Sequence, residues 1–83
     1  MWSAIWAPNA LRELERLEPP ERERVAKTLL RALEDPPRHF QRLRGTRLHK
    51  LRVGDLRVLA LVLVRDRTIE VLRVRHRSNV YDR

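Results

Sequence analysis

The chain contains no cysteine, which excludes both a disulfide framework and a thiolate zinc site. Aromatics are equally scarce. Trp2, Trp6, Phe40 and Tyr81 are the only ones, too few for a sheet that stacks bases across its whole surface. The longest unbroken apolar run, residues 58–64, falls far short of a bilayer span. Residues 1–8 carry no basic leader and no long apolar stretch, so no signal peptide is expected. The histidines His39, His49 and His76 are widely spaced and show no metal-ligand pattern, so neither metal nor cofactor is expected. By elimination the sequence reads as a soluble cytoplasmic protein with no membrane partner, and its 83 residues as a single domain.

What is abundant is positive charge, and it is unevenly placed. The net charge is +8, from seventeen arginines and two lysines against eleven acidic residues. Residues 1–35 carry a net charge of −1 and residues 36–83 a net charge of +9. A GC-rich genome would explain arginine in place of lysine, but not this asymmetry. A positive field confined to one part of a small domain suits a polyanion, nucleic acid above all, or an acidic protein.

Residues 2–6 read as a short first strand. Pro8 fits the first turn of a helix, where its missing N–H costs nothing. Leu11, Leu14 and Leu17 follow at helical spacing, and Glu18-Pro19-Pro20 ends that helix and starts the next. Val25, Ala26, Leu29, Leu30 and Leu33 give the second helix its apolar stripe, and Asp35-Pro36-Pro37 stops it. Residues 36–47 read as a loop. From Leu48 the period changes to two, Gly54-Asp55 signals a hairpin turn, and residues 56–64 form a nearly all-apolar central strand expected to be covered on both faces. A turn at residues 65–67 leads to a last strand from Thr68 to Arg75. The fold class is therefore α+β, in the order β-αα-βββ, with a helical hairpin on one face of a small, mainly antiparallel sheet.

A two-residue loop at Gly54-Asp55 sets Val53 opposite Leu56 and Arg52 opposite Arg57. Lys50 lies two residues from Arg52, on the same face. Arginine stems often cover sheet surface without any binding role. Against that, Arg57 interrupts an apolar central strand, where a charge is costly without an anion beside it. The next register stays open. A two-residue loop at Asp66-Arg67 brings His76 opposite Arg57, where it could accept a proton; an odd-length loop brings Arg73, Arg75 and Arg77 to that face instead.

The stretch from Lys50 to Val58, KLRVGDLRV, resembles the hairpin signature of the RelE/ParE toxin superfamily. The stretch from Val71 to Tyr81, VLRVRHRSNVY, resembles the C-terminal signature of its RelE branch. Leu43-Arg44-Gly45 and the element order match as well, so the resemblance spans essentially the whole chain. It implies a type II toxin, an endoribonuclease that cleaves mRNA in the ribosomal A site by 2′-hydroxyl attack. It also implies a RelB-like antitoxin as partner, in a toxin–antitoxin hetero-oligomer. Carried over by position, Lys50 belongs to the base or transition-state region, Arg57 steadies the phosphate, Arg77 lies near the leaving group and Tyr81 stacks on a base. His76 stands where several relatives keep a proton-transferring histidine, and Arg52, Arg44 and Arg75 are expected RNA contacts. Leu48 occupies the place of a second lysine found in some relatives. The alternatives are a ParE-type inhibitor of DNA gyrase, an inactive relative that keeps only antitoxin binding, and a plain RNA-binding module. His76, Arg77 and Tyr81, a set the ParE branch generally lacks, favour the RelE branch.

Overall fold

The computed structural model describes residues 1–76. Its elements are β1 (Ser3–Trp6), α1 (Pro8–Glu15), α2 (Pro19–Ala32), α3 (Pro36–His39), β2 (Gln41–Arg42), β3 (Leu48–Val53), β4 (Leu56–Leu63) and β5 (Thr68–His76). The strands form one five-stranded sheet in the order β1-β5-β4-β3-β2. β1 runs parallel to β5, and every other pairing is antiparallel. None of the helices is long and apolar enough to cross a membrane.

Prolines set the helix starts. Pro8, Pro19 and Pro36 each stand in a first turn, where no intrahelical bond needs their nitrogen. Glu18 is held extended by the proline that follows it, which separates α1 from α2. Arg22 reaches back from α2 and donates to the carbonyls of Glu15 and Leu17, at 3.4 and 3.3 Å, so the end of α1 is satisfied by a side chain.

The core lies between the helices and one face of the sheet. Leu17, Val25, Leu29, Ala32 and Leu33 pack with Leu51, Val53, Leu56, Val58, Ala60, Ile69, Val71 and Val74, and Leu14 lies partly buried against them. Val58, Ile69 and Val71 are fully buried, and truncating such an aliphatic side chain to alanine costs about 2–5 kcal/mol where the residue is as large as Ile69. The stripe read from the sequence was too wide. Leu11 and Leu30 are exposed, because the buried positions of α2 follow Val25, Leu29 and Ala32 and leave Leu30 around the helix from them.

Residues 36–47 are not a plain loop. Two prolines fit the first turn of α3, buried Phe40 pins its end, and the Phe40 N–H donates to the Pro36 carbonyl at 2.8 Å. β2 then pairs with β3, and the turn between them is closed by Leu43 N–H to the Leu48 carbonyl at 2.8 Å. Gly45, at φ +75°, supplies the left-handed residue that this turn needs. β4 is central, as expected, but it is not covered throughout on both faces: Val62 on the helix side and Leu59, Leu61 and Leu63 on the other are only partly buried.

Candidate functional site: a cationic sheet face

The β3–β4 register is the one expected. Val53 lies opposite Leu56, and Arg52 opposite Arg57. Lys50 pairs with Leu59 and Gln41 with Lys50, so Gln41, Lys50, Arg52, Arg57 and Leu59 all project from the face away from the helices.

The other ladder settles what the sequence left open. Leu63 pairs with Thr68 around a loop of residues 64–67, an even number, which alone would turn Arg73 and Arg75 toward the helices. Between Leu59 and Ala60 the register shifts, because β5 carries Leu72 as an extra residue: Ala60 pairs with Val71, but Leu59 pairs with Arg73. Beyond that bulge Arg75 lies opposite Arg57. The face therefore carries one row of three cations, Arg52, Arg57 and Arg75, beside a second row of Lys50, Leu59 and Arg73. Directly opposed residues have Cα atoms roughly 4.5–5.5 Å apart, so the charges of a row lie close together.

His76 does not join them. It pairs with Leu56, faces the helices, and places Nε2 3.5 Å from the Glu21 carboxylate of α2. Of the two faces the sequence left open for it, the bulge selects the one toward the helices. Arg44 is also apart. It sits in the turn before Leu48, at the far end of β3 from Arg52, and four strand residues span roughly 13 Å. Arg77 and Tyr81 lie outside the described residues.

The cations are not equivalent. Arg57 is 9% exposed, held between two opposed arginines on the central strand. Arg73 and Arg75 are tempered by Glu13 of α1. Its Oε2 accepts from Arg73 Nη2 at 2.8 Å and Nε at 3.1 Å, and lies 3.8 Å from Arg75 Nε. Its Oε1 accepts the backbone N–H of Val74 at 2.7 Å. Burial acts to raise the Glu13 pKa, but the bonds from Arg73 and Val74 and the charges of Arg73 and Arg75 outweigh it and hold the carboxyl below its ordinary value. The same pairing raises the pKa of Arg73. Lys50 and Arg52 have no carboxylate partner among the described residues. They line a cleft of about 340 Å³ together with His39 and Gln41.

His39, Gln41 and Glu13 were missed from the sequence. The first two fall in the stretch taken for a loop. Reading residues 44–47 as a hairpin turn would have set Leu43 against Leu48 and Gln41 against Lys50. Nothing in the sequence marks Glu13 apart from the other acidic residues of the helices, because its partners lie 60 and 61 residues away.

Taken together, a helical hairpin on one face of the sheet and a dense cationic array on the other define a small basic α+β protein. The chain belongs to the RelE/ParE toxin superfamily: the family model for the ParE toxin of type II toxin–antitoxin systems, parDE, matches residues 4–81. Among solved structures it is similar to a chain of the RelBE2 toxin–antitoxin complex from Mycobacterium tuberculosis. That likeness has a TM-score of 0.85 and 25% identity, and covers 92% of this chain and 98% of that one. It is also similar to a chain of the intact RelBE complex from E. coli, with a TM-score of 0.77, 26% identity, and coverage of 92% and 96%. The archaeal RelE–RelB complex from Pyrococcus horikoshii shares the fold, with a TM-score of 0.79 at 23% identity, over 95% of this chain and 98% of its counterpart. No curated protein matches the sequence significantly.

Proposed function

We propose that this toxin is of the RelBE type, acts in the cytoplasm, and is a ribosome-dependent endoribonuclease held in check by a RelB-like antitoxin. The observation that carries the reading is the row Arg52–Arg57–Arg75 with Lys50 beside it, on the sheet face opposite the helical core of the described residues. The likeness to RelE chains in complexes with RelB supports it.

In this reading the 2′-hydroxyl of one nucleotide attacks the adjacent phosphorus, and the 5′-oxygen of the next nucleotide leaves. The phosphorane gains negative charge as it forms, and fixed cations stabilise it more than they stabilise the starting diester. Arg57, on the central strand, meets the phosphate. Lys50 and Arg52 hold the nonbridging oxygens and the strand backbone, and Arg75 adds charge at the rim. Arg77 at the leaving group and Tyr81 stacking on a base complete the assignment. The ribosome supplies the in-line geometry, and orientation of that kind contributes on the order of 7–11 kcal/mol in well-organised cases. Free RNA should therefore be a poor substrate.

The family model's own description favours a second reading, a ParE-type inhibitor of DNA gyrase. One experiment separates the two. Purified toxin is added to ribosomes programmed with mRNA and, in parallel, to gyrase with relaxed plasmid. Cleavage in the A site, leaving 2′,3′-cyclic phosphate ends, supports the nuclease. Intact mRNA with blocked supercoiling establishes the gyrase inhibitor, and no effect in either assay establishes an inactive relative. Antitoxin binding is tested separately, by titration of the purified pair at two salt concentrations, with weaker binding expected at the higher one.

A further inference from the structure

Arginine stays protonated and His76 faces the helices, so of the described residues on the cationic face the nuclease reading has only Lys50 to draw on for a base. The cleft beside Lys50 and Arg52 contains another histidine. His39 stands at the end of α3, two residues before Gln41, and lines that cleft with Gln41, Lys50 and Arg52. Its Nδ1 lies 3.1 Å from the Asp35 carbonyl oxygen. A carbonyl only accepts, so Nδ1 carries the hydrogen of this bond. In the neutral ring Nε2 is then the unprotonated nitrogen, with a lone pair available to a ligand. A histidine oriented by a backbone carbonyl through one nitrogen, with phosphate-binding cations beside it, has the parts of a general base.

We propose that His39 is a catalytic residue of this toxin and takes the proton from the attacking 2′-hydroxyl; the assignment rests on the nuclease reading above. The ribose oxygen gives its proton to His39 Nε2 and its electron pair to phosphorus. The bond from phosphorus to the 5′-oxygen breaks, the departing oxygen takes a proton from water, and His39 returns its proton to solvent. Lys50 and Arg52 stabilise the phosphorane between these steps, and Gln41 donates to a phosphate oxygen or the ribose. The short α3 turn thus has a purpose beyond linking α2 to the sheet: it positions a base at the edge of the cationic face.

The bond to Asp35 could also serve only to hold the end of α3, and the test distinguishes the two roles. Asparagine at position 39 places an amide N–H close to where Nδ1 stood but offers no base. His39→Asn and His39→Ala are compared with wild type on programmed ribosomes, with thermal melts and antitoxin binding as checks of the fold. Removal of a general base lowers the rate by about 10²–10⁴-fold. Both variants should show such a loss, and His39→Asn should also flatten the pH profile of the rate. If His39→Asn cleaves within a few-fold of wild type, the residue is structural and the proposal is wrong. If wild-type toxin leaves ribosome-bound mRNA intact, the nuclease reading itself fails and takes this role with it. Cleavage by wild type and His39→Asn alike overturns the His39 assignment alone.

Discussion

The carboxylate of Glu13 accepts the backbone N–H of Val74 at 2.7 Å, at the point where β1 has ended and β5, paired with β4 on its other side, has no described strand on this edge. One side chain thus caps an open sheet edge and, through its other oxygen, balances Arg73 and part of Arg75. Hydrogen bonds to a charged group contribute about 1.5–3 kcal/mol, so Glu13→Ala should destabilise the fold by that order. The folded-state pKa of Glu13 lies below its ordinary value of 4.5. Its contribution is therefore complete above that pH and is lost as pH falls through the lower folded value. Urea melts of wild type and Glu13→Gln should differ at neutral pH and converge in acid; a constant difference down to the acid limit would show that the charge is not the source.

Arg57 occupies the centre of the cationic row, buried to 9% exposure. Arg57→Leu keeps much of the volume and removes the charge. Loss of one transition-state charge contact typically costs about 10²–10³ in rate, so growth arrest should disappear while antitoxin binding persists. Induced expression paired with a pull-down by the antitoxin tests both halves, and undiminished arrest would remove Arg57 from the site.

His76 should be dispensable for the chemistry. Its ring faces Glu21 and is nearly half exposed, and exposed pairs of this kind contribute about 0–1 kcal/mol. His76→Ala should cleave at close to the wild-type rate and melt within a few degrees of it. A loss of a hundredfold or more in the cleavage assay would contradict the placement of this side chain away from the cationic face.

Gly54 turns the β3–β4 hairpin at φ +60°, and a Cβ there would come within 2.8 Å of the Arg24 guanidinium tip. The tip can swing aside, but the backbone conformation cannot change without opening the turn. Forcing an L-residue into the left-handed region costs about 1–2 kcal/mol, the loss expected for Gly54→Ala in chemical denaturation. The larger effect should be functional, because this turn fixes Arg52 against Arg57.

Much of this arrangement was legible in the sequence. Proline placement and apolar spacing gave the helices, and alternation with Gly54-Asp55 gave the β3–β4 register and the three-cation cluster of Lys50, Arg52 and Arg57. The last strand was not legible to the same depth. A bulge at Leu72 costs one residue and leaves no compositional mark, yet it decides whether His76 or Arg75 lies on the face with Arg57. β2 was missed because two residues are too few to show a period, and Glu13 because its role depends on a contact across most of the chain.

The parallel pairing of β1 with β5 has a consequence for the order of synthesis. Ser3–Trp6 are made before every other described element, yet among the described residues they pair with Thr68–Val71 alone. Until that segment leaves the exit tunnel the first strand has nothing to pair with, and Arg73 and Arg75 are still missing from the cationic face. The arginine row is therefore completed only once Arg75 has been made: until then the cationic face lacks the arginine that β5 sets opposite Arg57, and the first strand waits on the last one.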